Sequence, residues 1–407
     1  MRYLARATHL AAVWGMSLTV IAGCGAAPRP IAHTPDAGAA PARDLAAARA
    51  AAPALLPGGR ERDALPGRDP RVVDLDIIRI TAHTPAPGGE PELTSVASAD
   101  LFQQAGAAAR AGRRGEAIGR YRQLVAEFPE SQYAPVALFD IAALHDGEGD
   151  LTATLTALQE LVTRYPDARE SVEGHLYMAA LQADHQQWAD AAATLDAALA
   201  RPHLTFADRV EALARRGYVE LEQHRHDAAE VSLSAAVAEW RKAPRIEDPY
   251  YIAMAHYYRG ELMHRRFAER AVRTGDDEMV ADLDAKRALA AEAYDRWREA
   301  LRFHQAYWAT AAGYQMSQIF VELWEAHVHA PYPHRIEVAT RPTYVADVHT
   351  RVRPDLEKAL DGHRMNVELA KAYGVDTTWS RGSERQAAAI MELLARDTPS
   401  SYVVPAD

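Results

Sequence analysis

Between residues 98 and 242 one pattern recurs at nearly constant spacing, and it restricts the fold more than any other feature of the chain. Phe128-Pro129 and Tyr165-Pro166 stand 37 residues apart. Ahead of them run Ala117, Tyr121 and Leu124, then Thr154, Leu158 and Leu161. The same offsets return as Ala191, Leu195 and Ala198, and as Ala229, Leu233 and Ala236, so the small positions step by 37, 37 and 38 residues. A second small residue lies twelve places before each marker: Ala105, Ala142, Ala179 and Gly217. Small side chains at both points let the two helices of a hairpin cross closely, where a long one would hold them apart. A period in the thirties with two helical runs per unit predicts an all-α solenoid of helix-turn-helix repeats. The closing proline is displaced to Pro202 in the third copy, and none precedes Pro244 in the fourth.

Charge narrows the partners. The 407 residues carry a net charge of −11, and of the 45 basic residues only Lys242, Lys286, Lys358 and Lys371 are lysine. That Arg excess reads as a codon bias. A phosphate-binding surface needs an excess of positive charge, so nucleic acid is not an expected partner.

The one cysteine, Cys24, follows a short apolar run over residues 10–22 with Arg2 and Arg6 before it. The run is too short to span a bilayer, which predicts a cleaved signal over 1–24. Ile21-Ala22-Gly23-Cys24 resembles the bacterial lipobox. The resemblance implies that Cys24 is lipidated and becomes the first mature residue, and Gly25 in place of Asp implies the outer membrane, with the protein facing the periplasm. Each buried acyl CH₂ contributes about 0.8 kcal/mol, so several chains anchor stably.

Residues 25–97 read as an Ala/Pro-rich flexible linker. Within it a short strand at 71–81 is expected from Val72, Val73, Ile77, Ile78 and Ile80, as an extended segment against the solenoid or a strand added to a partner's sheet. Four repeats fill 98–243, with a turn at Gly147-Glu148-Gly149-Asp150. Long repeat-like hairpins follow over 244–330. One helix opens at Asp248-Pro249 and ends near Thr274-Gly275, and the next is capped by Asp276 and Asp277. A terminal hairpin over 341–397 caps the array. Pro354 kinks it or marks its true start, Gly374 is a C-cap, and Ser383 with Gln386 makes a capping box.

The chain carries no catalytic motif: no nucleophile elbow, no dinucleotide fingerprint and no phosphate loop. Two histidine groups, His327 with His329 and His334, and His224 with His226, lack the i, i+4 pairing that sets ligands on one helix face, so no metal and no cofactor are expected.

The repeat resembles the tetratricopeptide repeat family, in which the small residues, the large apolar residue four later and the closing Pro are consensus positions. The longer unit, as in Glu130-Ser131-Gln132-Tyr133-Ala134-Pro135, resembles the subset in bacterial envelope lipoproteins. The helix layout from Trp308 through Glu322-Leu323-Trp324 to Pro331 is similar to lipoproteins linked to gliding motility. The resemblance implies a protein-binding groove lined by first-helix residues, here Phe102, Phe139, Asp146, Glu173, Leu176, Asp184, Tyr218 and Glu222. Apolar and acidic groups together fit an envelope protein with apolar anchors and basic flanks. Phe102, Phe139 and Leu176 fit equally as packing between neighbouring helices, since one residue of phase exchanges core for groove. Other readings are β-barrel assembly, coordination of cell wall with outer membrane, and, in a different class, a periplasmic enzyme or glycan-binding protein using Trp297, Trp308, Tyr314 and Trp324.

Overall fold

The computed structural model describes residues 77–83, 92–202, 204–243 and 248–397. Cys24 with its signal segment, most of the linker, the first part of the expected strand and Pro244 lie outside the described residues.

Within the described residues the expected strand has a partner in its own chain. β1 (Ile78–His83) pairs antiparallel with β2 (Glu92–Ala97), Ile78 opposite Ala97 and Ala82 opposite Leu93. Alternation puts Arg79 and Val96 on one face. There the Arg79 guanidinium lies 5.4 Å from the Phe128 ring centroid and donates to the Glu127 carbonyl at 2.8 Å, while Val96 joins the adjoining core. Ile78 and Ile80, on the other face, are exposed. The sequence reading missed β2 because Leu93-Thr94-Ser95-Val96 offers only two large apolar residues.

Thirteen α-helices follow among the described residues: α1 (Ser98–Arg110), α2 (Arg114–Glu127), α3 (Tyr133–Asp146), α4 (Leu151–Arg164), α5 (Arg169–Asp184), α6 (Trp188–Leu199), α7 (Phe206–Glu222), α8 (His226–Lys242), α9 (Tyr250–Glu269), α10 (Asp276–Leu301), α11 (Ala306–Val328), α12 (Arg341–Tyr373) and α13 (Thr378–Arg396). No described helix is long and apolar enough to cross a membrane. The fold is the all-α solenoid that the period predicts.

The repeated positions explain the hairpins. Ala105, Ala142, Ala179, Ala117, Thr154, Ala191 and Ala229 are all within 1% of full burial, and Tyr121, Leu158, Leu195 and Leu233 pack beside them at 3% exposure or less. Each such large apolar side chain contributes about 1.5–3 kcal/mol relative to exposure. Gly217 shows why the crossing position stays small: a β-carbon there would stand 2.4 Å from Leu233 Cγ. The turn inside each hairpin repeats as well. Gly112, Gly149, Gln186 and His224 hold φ of +73°, +75°, +58° and +58° at the same 37, 37, 38 spacing.

Beyond α8 the helices lengthen, and three expectations need correction. α9 stops at Glu269, not near Gly275, which instead precedes α10 with φ +133°. α12 continues through Pro354 for 33 residues, with Pro342 in its first turn. The missing amide removes one ladder bond, but burial of Val352, Asp355, Leu356 and Ala359 on either side of the proline holds the helix together. The capping box of α13 is Thr377 with Ser380; Ser383 and Gln386 lie inside the helix, buried. α11 and α12 cross through two small residues, Gly313 against Asn366 and Gly362 against Ser317. α13 closes the array on both.

Candidate functional site

The first helix of each hairpin also packs on the first helix of the next, so α1, α3, α5, α7, α9 and α11 form a continuous inner layer. Side chains of this layer that point away from the second helices lie along one face shared by successive repeats. They make a surface rather than a pocket.

The eight residues proposed to line it divide. Phe102, Leu176 and Tyr218 are buried. Phe102 stacks on Tyr133 at 5.1 Å and tilts against Tyr121 at 5.6 Å, which joins α1 to α2 and α3. Tyr218 lies 4.8 Å from Tyr258 and meets Trp188 edge-on at 5.9 Å. These three pack between helices. Phe139, Asp146, Glu173, Asp184 and Glu222 are only half-buried. Phe139 tilts against Tyr177 at 6.0 Å, and the Tyr177 hydroxyl donates to Asp146. Arg169 pairs with Glu173 at 3.6 Å, and Arg265 donates to Glu222 and to the Leu221 carbonyl.

Asp146, Asp184, Glu222 and Glu269 are each the last residue of an inner helix, α3, α5, α7 and α9. A helix C-terminus carries roughly half a negative charge on its open carbonyls, so a carboxylate there is disfavoured and a cation favoured, by about 0.3–1 kcal/mol. Four in register form an acidic rim along one edge of the inner layer.

Two further groups escaped the sequence reading. Asp140, next to Phe139, is half-buried; burial pushes its carboxyl up to about 6, and the hydrogen bond from the Tyr121 phenol only partly offsets that. Burial likewise raises the Tyr121 phenol. In the longer hairpins His264 Nε2 lies 2.6 Å from Glu322 and Nδ1 3.6 Å from Glu261. Burial opposes charge on His264, but Glu322 and Glu261 hold its imidazolium up to about 10, and the Glu261 carboxyl is held low, mainly by that histidine, against its own burial. Glu322 is 58 residues from His264. No local pattern joins them.

The remaining chemistry is inward. Trp297, Trp308, Tyr314 and Trp324 are at most 6% exposed, so they offer no stacking surface for a sugar. Ser383 and His363, 3.2 Å apart, are both fully buried. His327 and His329 donate back to the Leu323 and Glu325 carbonyls of α11, and the His334 amide donates to Asp276. These three histidines do not converge. His224 and His226 do, with Glu269 as a third group that the sequence could not place.

The tetratricopeptide repeat family profile matches residues 101–131 and 136–168, the first two copies of the repeat. No curated protein matches in sequence. Among solved structures the chain is similar to the apo form of RapI, with 11% identity over 74% of this chain and 98% of that one and a TM-score of 0.38. A tetratricopeptide repeat protein from Parabacteroides merdae ATCC 43184 aligns at 11% identity over 72% and 98%, TM-score 0.33. A Rap protein complexed with Competence and Sporulation Factor aligns at 14% over 74% and 76%, TM-score 0.33. The chain is an all-α solenoid whose first two repeats, residues 101–131 and 136–168, match the tetratricopeptide repeat.

Proposed function

We propose that this protein is a non-catalytic scaffold, lipid-anchored through Cys24 on the periplasmic side of the outer membrane, that holds an envelope protein along its inner layer. The acidic rim carries the reading. Asp146, Asp184, Glu222 and Glu269 stand where helix ends already concentrate negative potential; Arg265 pairs with Glu222 and Tyr177 donates to Asp146, and the excess of carboxylates along this edge favours a partner with basic residues. Half-buried Phe139 and Tyr133 lie in the same layer, and supply contact for apolar anchors between the basic residues of an extended or helical segment. The apolar start of the chain and the Ile21-Ala22-Gly23-Cys24 sequence support the anchor.

In-cell crosslinking followed by mass spectrometry, with a Cys24→Ala control, tests both halves. Crosslinks to envelope proteins that vanish in the control are the expected result. Their identity selects the process: motor components mean trans-envelope gliding, barrel-assembly proteins mean assembly, and wall synthases mean coordination of wall and outer membrane. Crosslinks only to the protein itself or to glycan, unchanged in the control, overturn anchor and scaffold together.

A further inference from the structure

We propose that His224, His226 and Glu269 form a binding site for a divalent transition metal of the zinc class, fastening the α7–α8 turn to the end of α9. One ligand atom from each of the three lies within 4.8 Å of the others, and His226 Nδ1 is 3.7 Å from Glu269 Oε2. A tetrahedral zinc with bonds of about 2.0–2.2 Å separates its ligand atoms by about 3.4 Å. The ligand atoms therefore need to close by at most about 1.4 Å in any pair. His224 and Glu269 are exposed and free to turn, whereas the His226 ring is only 17% exposed and is held by its surroundings with Nδ1 toward the carboxylate.

Local structure brings the three together. The His224 amide donates to the Leu221 carbonyl and the Arg225 amide to that of Glu220, which closes α7 in a tight turn. α8 starts at His226, and α9, which packs on α7, ends at Glu269. The turn position of His224 has φ +58°, where the first two repeats carry Gly112 and Gly149. Glycine satisfies that backbone best, so the turn itself does not call for an imidazole. The neighbouring cations are already engaged, Arg266 with Asp227 and Arg265 with Glu222.

The ligand set defines the metal class. Two imidazoles and one carboxylate suit Zn²⁺, Ni²⁺ or Cu²⁺; Ca²⁺ and Mg²⁺ want more oxygen ligands. With three protein ligands, a fourth position stays open to solvent. The site does not depend on the scaffold reading.

Calorimetric titration of the tag-free full chain with Zn²⁺ at neutral pH tests this, with Co²⁺ absorption as a second readout of coordination. One equivalent is expected, weakened by about tenfold or more in His224→Gly and in Glu269→Gln. His224→Gly removes a ligand while relieving the left-handed backbone, so its melting temperature without metal should equal or exceed that of the wild type, and loss of binding there is not a folding defect. If both variants bind Zn²⁺ as the wild type does, the ion sits on scattered surface histidines and the site is refuted. Absence of any equivalent tighter than millimolar refutes it as well.

Discussion

Gly260 of α9 lies directly against the indole of Trp297 in α10: a β-carbon at Gly260 would stand 2.3 Å from Cδ1 and 2.4 Å from Nε1. Trp297 is fully buried, so the ring has no room to retreat. Gly260→Ala should therefore destabilise the fold by about 1–3 kcal/mol through overpacking. Trp297→Leu is destabilising by itself, but should cost less in the Gly260→Ala background than in the wild type, since the two changes act on one contact. Urea denaturation of the single and double variants reads both; additive losses would show that the two residues do not compete for the same space.

The hairpin turns predict opposite signs for related changes. Gly112 and Gly149 have φ near +75°, so replacing either by Ala should cost about 1 kcal/mol. Gln186 sits in the same conformation with a β-carbon already present. Gln186→Gly should stabilise by up to about 1 kcal/mol, less the extra entropy glycine carries in the unfolded chain. Thermal unfolding of the three variants compares them directly.

Asp140 gives a pH signature. Its carboxyl is raised from 3.8 to about 6 by burial, so the folded state binds more protons than the unfolded state between those values. Stability contributed by this group is therefore highest below about pH 4 and falls as pH rises through 6. Asp140→Asn should be more stable than the wild type at pH 8, by on the order of 1–3 kcal/mol, and should equal it near pH 4. Equal stabilities at both pH values would contradict this.

The His264 cluster acts on the alkaline side. With its imidazolium held up to about 10 against an ordinary 6.5, its contribution is fully present below about pH 6.5 and is lost as pH rises through 10. Glu322→Gln removes the charge that most favours the imidazolium. It should lower stability at neutral pH and move the alkaline loss to lower pH, as followed by denaturation midpoints across pH 7–11.

Much of the fold was legible because small and large residues repeat at fixed offsets: Ala105, Ala117 and Tyr121 announce a hairpin without any tertiary information. Phase was less legible. Phe102, Leu176 and Tyr218 fit the groove pattern but are buried, because a first helix is covered on two sides by its neighbours and its apolar stripe is wide. Boundaries failed where two signals competed. Ser383 and Gln386 have capping-box spacing, yet Ser383 accepts from Asn366 and Gln386 donates to Tyr314 within the packed end of the array, and Thr377 with Ser380 caps instead. The polar clusters were invisible for a simpler reason. Glu269 with His224, and Glu322 with His264, are joined only by the stacking of separate hairpins.

Partner capture on the inner layer is tested most directly by photo-crosslinking from single positions in cells. A photoreactive residue placed at Phe139 or Asp184, on the inner layer, is compared with one at Val231, which is 69% exposed on α8. Discrete crosslinks to an envelope protein from Phe139 and Asp184, absent from Val231 and weakened by Asp146→Asn with Glu222→Gln, are the predicted result. Crosslinks from Val231 alone, or inner-layer crosslinks indifferent to the loss of those carboxylates, would contradict it.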